Sequence, residues 1–253
     1  MSENTNPVYV ILGATGGIGS ETVRRLSEKG ANLVIAAQNE EKLERLAKET
    51  NASPVALDAT SQKQTDTAFE RAKENFGRID GAVNLVGSFL LKPAHKTCDK
   101  DFDAAMSQNV KTAFNTVRSA VRFMEDGGSV VLMSSVAGRV GLANHEAISA
   151  AKAAVIGLTM SSAATYLPRN LRFNAVAPGL VETPMTESVT SSDAARQAST
   201  DLHPLGRLGE PEDIAPMIEW LLDPRNTWVS GQVFGVDGGL STLRPMPRRA
   251  VRR

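Results

Sequence analysis

What most constrains the fold of this chain is one junction near its start. The apolar run Val8–Gly13 breaks into Gly13-Ala14-Thr15-Gly16-Gly17-Ile18-Gly19 and passes at once into an amphipathic stretch, Gly17–Lys29. An apolar run of that length reads as a buried strand, and the periodicity after it reads as a helix closed by Gly30. Glycines permit the sharp turn between them and let backbone amides approach an anion, to which the helix N-terminus adds partial positive charge. A glycine-rich string alone says little, but at a strand–turn–helix junction it marks a dinucleotide pyrophosphate cradle. The spacing is G-x-x-x-G-x-G, with Gly13, Thr15, Gly16, Gly17, Ile18 and Gly19 as the phosphate-side candidates.

The rest of the chain continues the alternation. Asn32–Ala37, Pro54–Leu57, Gly81–Val86, Ser129–Ser134, Arg172–Ala177 and Gln232–Val236 read as further strands. Glu40–Glu49, Ser61–Phe76, Asp99–Met124, Asn144–Tyr166 and Pro211–Leu222 read as helices between or after them. Such alternation predicts βαβ units, hence one α/β domain of the doubly wound Rossmann type over residues 1–253, with about seven parallel strands and helices on both faces. No internal repeat or domain boundary interrupts it. Thr183–Thr200 is polar and poorly periodic, and with the residues up to Gly206 it is the candidate mobile segment over a site.

Composition removes several function classes. Lys plus Arg and Asp plus Glu both number 28, so no global field draws the chain to nucleic acid. Five arginines crowd residues 241–253 (Arg244, Arg248, Arg249, Arg252, Arg253), which reads as a solvated terminus. Cys98 is the only cysteine, so neither an internal disulfide nor a cysteine-built metal site is available, and no metal is expected. The polar start is unlike a signal peptide, and no uninterrupted apolar run approaches the ~20 residues that span a bilayer. A soluble, cytoplasmic protein without a membrane partner is the expectation.

About 20 residues beyond the glycines, an acidic residue would hold an adenosine 2′-hydroxyl. The second strand instead ends Ala37-Gln38-Asn39, with neither acid nor arginine. Gln38 therefore does not repel a 2′-phosphate, and NADP(H) is favoured over NAD(H). Asp58, after the third strand, is a candidate for the adenine and equally for a turn or helix cap.

Taken in order, these phrases resemble the short-chain dehydrogenase/reductase family from about Val8 to Leu240. The glycine string has that family's spacing. Asn84-Leu85-Val86-Gly87 resembles its N-N-A-G segment, keeping the first Asn and the Gly. Asn109 falls where the family carries a helix asparagine that holds a proton-relay water. Met133-Ser134-Ser135 resembles the end of the fifth strand, with Ser135 in the catalytic serine register. Pro178-Gly179 resembles the segment that receives the nicotinamide, and Thr183 would contact its carboxamide. Gly206-Arg207-Leu208-Gly209-Glu210-Pro211 and Val236-Asp237-Gly238-Gly239 resemble the family's closing phrases. The resemblance implies an NAD(P)-dependent carbonyl reductase or alcohol dehydrogenase, akin to 3-oxoacyl-carrier-protein reductases, acting on a small carbonyl or alcohol substrate. It also implies a homotetramer built on the helices Asp99–Met124 and Asn144–Tyr166 and the last strand.

One departure stands at the centre. The family's Y-x-x-x-K reads here Ile148-Ser149-Ala150-Ala151-Lys152, with Ile148 thirteen residues after Ser135, the spacing expected for the tyrosine. Tyr9 and Tyr166, the chain's two tyrosines, cannot substitute locally. In the family, tyrosine supplies a proton, lysine lowers its pKa and holds the nicotinamide ribose, and serine polarises the carbonyl. Isoleucine has no proton to give, and a missing general acid costs about 10²–10⁴ in rate. His145 is the candidate surrogate: if helical, it lies about 60° from Ile148 and about 20° from Lys152 around the axis. Histidine also changes charge near working pH. Glu146 either tunes His145 or takes the role itself, whereas Asn144 is a good N-cap and the bland reading leaves His145 solvated. Lys152, a cation among Ala, Ile, Val and Leu, needs a partner if buried. Two other functions stand beside the reductase: a nucleotide-binding pseudoenzyme or regulatory subunit, for which Ile148 speaks, and a cofactor-free lyase or dehalogenase, against which the glycine string and Thr183 speak.

Overall fold

Strand β1 (Val8–Leu12) lies at the middle of the molecule, and its five side chains are all buried. Alternation sends Val8, Val10 and Leu12 to one face of the sheet and Tyr9 and Ile11 to the other. Because both faces need cover, every neighbouring strand is joined through a helix and all pairings are parallel. The strands β2 (Asn32–Ala37), β3 (Ser53–Ala56), β4 (Gly81–Asn84), β5 (Gly128–Met133), β6 (Leu171–Pro178) and β7 (Val233–Val236) complete a seven-stranded sheet in the order β3-β2-β1-β4-β5-β6-β7. In this computed structural model residues 6–244 are described; Arg248, Arg249, Arg252 and Arg253 lie outside them.

The helices sort into two layers. On one face α1 (Gly17–Glu28), α2 (Glu40–Thr50) and α9 (Pro211–Leu222) bury Val23, Leu26, Leu43, Leu46, Ile214, Ile218 and Leu221 against Tyr9, Ile11 and Ile35. On the other, α3 (Gln62–Phe76), α5 (Thr112–Phe123) and α6 (Glu146–Tyr166) close over Val10, Leu12 and Phe173. Local chemistry sets the helix ends. Asn39 Oδ1 accepts from Lys42 N (2.8 Å) to start α2, and Asn51 ends it in the left-handed region at φ 53°. Gly30, expected to close the first helix, lies two residues past its end at φ 80°.

Strand order reverses between β3 and β4: the chain steps outward from β1 to β3, then returns to place β4 on the other side of β1. Ligands of open α/β sheets bind beyond the carboxyl ends of the strands at such a switch point, here at the ends of β1 and β4. The glycine string and Ser135 follow the carboxyl ends of sheet strands, and Asn84 and Pro178 are themselves such ends.

Three expectations are corrected. The long helix Asp99–Met124 is three pieces: α4 (Asp99–Met106), a π-helical turn (Ser107–Lys111) and α5. Asn109 is the cause, since its Nδ2 donates to Ala105 O (2.8 Å), the carbonyl that its own amide would take in an α-helix. Helix α6 begins at Glu146, and Asn144 is not its N-cap: it sits at φ 62° with its carbonyl accepting from Lys92 N (2.8 Å). The 183–206 segment holds two short helices, α7 (Glu187–Thr190) and α8 (Asp193–Asp201), the second capped by Ser192 Oγ. Neither buries a residue, so no apolar periodicity announces them.

The stretch Glu146–Arg169 is long and apolar enough, by length and composition, to cross a bilayer. Its surroundings account for that composition, because α6 packs against β6, α4, α5 and the π-helical turn.

Candidate functional site

The cradle is built by close approach. Gly13 (φ 79°) has its amide on Ala36 O (2.8 Å), and a Cβ there would stand 2.7 Å from the Leu85 carbonyl carbon. Only glycine lets β1 turn while touching the loop that follows β4. Helix α1 then begins without a side-chain cap and without an acidic residue in its first turn. Among the described residues the amides of Gly17, Ile18 and Gly19 have no protein acceptor, which leaves the positive end of the helix for an anion. Gly16 is exposed, Thr15 is half-buried, and Ile18 packs inward on the core. Thr183 lies directly on the cradle, since a Cβ at Gly17 would be 2.6 Å from its Cγ2; its amide donates to Thr186 Oγ1 (3.1 Å).

A second cluster forms around Gly87. Asn84 turns the chain after β4, its Oδ1 accepting from Val86 N (2.9 Å) and its Nδ2 donating to Thr112 Oγ1 (3.2 Å). A Cβ on Gly87 would lie 2.8 Å from Asn109 Oδ1 and 3.2 Å from Lys152 Nζ, so the three sequence candidates do converge. The π-helical turn presents Asn109 to Ser88, accepting from its amide (3.3 Å) and donating to its hydroxyl (3.0 Å). Lys152 is buried, donates to Met133 O (3.0 Å), and has no carboxylate partner among the described residues. Burial alone pushes its ammonium down to about 8. Ser134 Oγ, donating to Lys152 O (2.9 Å), ties the end of β5 to α6 beside it.

Ser135 follows β5, half-buried, with its Oγ accepting from Ala137 N (3.2 Å) and its hydroxyl proton free to turn elsewhere. Ile148 is 4% exposed, a wall residue rather than a group facing water. His145 precedes α6, so the helical angles do not apply to it. Its ring stands edge-on to Phe89 (centroids 6.3 Å apart), and its Nδ1–H donates to Ala143 O (2.7 Å). That bond leaves Nε2 without a partner among the described residues. Glu146 is exposed and joins nothing in the cluster.

On the adenosine side, Asp58 accepts from Thr60 N (2.9 Å) and Thr60 Oγ1 (2.8 Å). Those bonds, first the backbone amide and then Thr60 Oγ1 and Gln38, hold its carboxyl below the usual range. Asp58 therefore shapes the turn after β3 and braces exposed Gln38. No acid stands at the end of β2, and Asn39 is occupied as the α2 cap.

At the other end, Pro178 closes β6, and a Cβ at Gly179 would collide with the ring of His203 (2.6 Å to Nε2). His203 belongs to none of the motifs read from the sequence. No local pattern marks it, because its partner, Leu180 N, is 23 residues away. Nearby, Leu142 lines a cleft of about 380 Å³ with Val140, Leu202, Pro204, Leu240 and Leu243. Leu180 lines a smaller cavity of about 120 Å³, Phe89 touches His145, Ser88 holds Asn109, and Met185 is exposed.

An uncapped helix N-terminus, a buried unpaired ammonium and a serine at neighbouring strand ends define a nucleotide-dependent oxidoreductase cleft. Comparison with known proteins agrees. The family described as enoyl-(acyl carrier protein) reductase matches residues 13–241. The 3-oxoacyl-[acyl-carrier-protein] reductase FabG of Thermotoga maritima is 37% identical over 240 residues, covering 92% of this chain and 97% of its own. A chloroplastic tropinone reductase homolog of Arabidopsis thaliana is 33% identical, covering 94% and 77%. Among solved structures, a variant of the actinorhodin polyketide ketoreductase with NADPH superposes with TM-score 0.89 at 27% identity, covering 96% and 100%. The chain belongs to the short-chain dehydrogenase/reductase family, a family of NAD(P)-dependent oxidoreductases.

The site fits that cofactor class on its own geometry. The free α1 amides suit the pyrophosphate. Lys152 spends one of three donors on Met133 O, which leaves two for ribose hydroxyls beside Gly87. Because the folded-state pKa of Lys152 lies below its unfolded value, the folded chain holds fewer protons between them. Its contribution to stability is thus present above about pH 10.5 and lost as pH falls through about 8. The stability of wild type minus that of Lys152→Met, by urea unfolding, is expected to rise from pH 8 toward 10.5 by on the order of 3 kcal/mol. A flat difference would show the ammonium to be solvated.

Proposed function

We propose that this protein is a carbonyl reductase or the corresponding alcohol dehydrogenase, preferring NADP(H), with His145 acting where the family uses tyrosine. The observation that carries the reading is Lys152: a buried ammonium beside Gly87 that donates only to Met133 O keeps two donors for the hydroxyls of a ligand. A bound nicotinamide would supply the hydride. The chain's own groups must then orient the carbonyl and deliver a proton to the alkoxide. Ser135 has its hydroxyl proton available for the carbonyl oxygen. His145 has Nδ1 fixed on Ala143 O, so Nε2 is the atom that takes and gives the proton, in the manner of an oriented acid–base imidazole. Glu146, exposed at the start of α6, is less well placed. Leu142, Leu202, Pro204, Leu240 and Leu243 line a mostly apolar cleft, with Asp201 and Arg244 also in its lining, suited to a partly apolar ketone. Assembly as a cytoplasmic homotetramer is part of the same proposal and rests on family likeness.

A second reading is favoured by one observation. Ile148 is packed into the wall, so a protein that binds the nucleotide without turning over substrate is consistent with the same cleft. NADPH oxidation against a panel of ketones and 1,2-diketones separates the two. With the reductase, His145→Ala is expected to lower kcat by about 10²–10⁴, the worth of a general acid, while Glu146→Ala stays within about threefold. Turnover unchanged in His145→Ala removes histidine from the mechanism; NADPH binding with no turnover of any carbonyl selects the second reading.

Cofactor choice follows from the end of β2. Gln38 carries no charge to repel a 2′-phosphate, and Asp58 is engaged with Thr60. Placing a carboxylate there by Gln38→Asp is expected to weaken NADPH at least about tenfold and to leave or improve NADH, read as Kd by fluorescence titration. An unaltered ratio would mean that the 2′-position is bound elsewhere.

A further inference from the structure

His203 is buried at 4% exposure, yet it belongs neither to the proton-transfer group nor to the cradle. It stands just after α8, and both of its ring nitrogens are spent on backbone. Nδ1 lies 2.8 Å from Ser199 O, and Nε2 lies 3.1 Å from Leu180 N, an amide that can only donate. Nε2 must therefore be the bare nitrogen and Nδ1 the protonated one, so the observed pair of bonds exists only for a single neutral tautomer. The ring fills the space that a side chain at Gly179 would need. One imidazole thus joins the segment carrying α8 to the Pro178–Leu180 turn, the turn that leads to Thr183 on the cradle.

We propose that His203 is a positioning residue: its neutral imidazole latches the α8 segment onto the Pro178–Leu180 turn, and protonation releases it. A proton on Nε2 would set two N–H groups against each other at Leu180, leaving a buried donor unpaired. The charged groups around the ring permit this. Asp237, just after β7, lines the same small cavity; its carboxylate accepts from Gly239 N (3.0 Å) and Ser241 N (3.1 Å), with the Arg139 guanidinium on its Gly235 side. Arg207 and Asp213, across the small cavity, neutralise each other through two 2.6 Å bonds. On the α8 side, Asp201 accepts from Gln197 (2.7 Å), and Arg196 pairs with Glu182 at the exposed surface. That last pair is a second tether, solvent-screened and weaker than the buried one.

The latch is a property of the fold, and its effect on nucleotide affinity rests on the function proposed above. The test is therefore made first without cofactor. Amide exchange at Leu180 and through residues 193–201 is compared at about pH 7.5 and about 5.5, the range in which histidines change charge, after correction for intrinsic rates. Wild type is expected to lose at least about tenfold in protection at the lower pH, the factor for one buried donor left unpaired. His203→Gln keeps an acceptor for Leu180 N and cannot protonate, so its protection should change less than about twofold. His203→Phe should be low at both pH values. Equal pH dependence in wild type and His203→Gln would overturn the proposal, as would full protection in His203→Phe. If the variants do not fold, ring nitrogen shifts of wild-type His203 decide: an Nε2–H tautomer at neutral pH overturns it, and protonation in step with the Leu180 amide supports it. NADPH titration at the same two pH values then reads the consequence. Failure to bind NADPH at either pH, with the exchange switch intact, would remove the nucleotide reading and leave the latch standing.

Discussion

A buried ammonium without a carboxylate is costly in any fold, and the end of this sheet is organised around one. Lys152 is held from below by Met133 O, at the last residue of β5, while its own carbonyl is held by Ser134 Oγ. The loop after β4 passes it without a side chain at Gly87, and the π-helical turn brings Asn109 to the same side of that glycine as the ammonium. Remove Lys152 and those features lose their common purpose: a glycine where any side chain would crowd Asn109 and the ammonium, and an interrupted helix. Surrounding the ammonium with apolar side chains would strand its remaining donors, whereas a hydroxylated ligand would satisfy them.

The same arrangement shows why Ile148 need not end the chemistry. Lysine, asparagine and serine bind and orient, and they do so whether or not a phenol stands among them. The phenol's separate contribution is a proton at the alkoxide. That requirement can be met from the loop before α6, where the Lys92 N–Asn144 O bond joins the loop after β4 to the loop carrying His145. His145 thus stands on a braced segment and not on the free end of a helix. Its Nδ1 bond to Ala143 O fixes which nitrogen is available.

Much of the fold was legible in the sequence because strand and helix periods depend on burial, and this sheet is buried on both faces. β2 and α9 fall where the apolar pattern places them, and the other strands within two residues. The glycine string and Lys152 were legible for a related reason: small or charged residues in apolar surroundings have few explanations. What escaped has equally physical causes. The break at Ser107–Lys111 comes from a side-chain-to-carbonyl bond that leaves hydrophobic periodicity intact. Helices α7 and α8 bury no residue, so they carry no apolar signal. His203 acts through backbone partners on either side of it, one of them far off in sequence. Asp58 was open between ligand and turn, and its bonds to Thr60 give it a structural role.

In the proposed function, the carboxyl end of this sheet holds a nicotinamide dinucleotide between the free amides of α1 and the ammonium of Lys152. Calorimetric titration of the unaltered chain with NADPH at neutral pH tests it most directly. Saturable binding near one nucleotide per chain is the expected result. An absence of heat and of any protection of α1 or Lys152 at saturating nucleotide would contradict the claim, and the buried ammonium would then need a different partner.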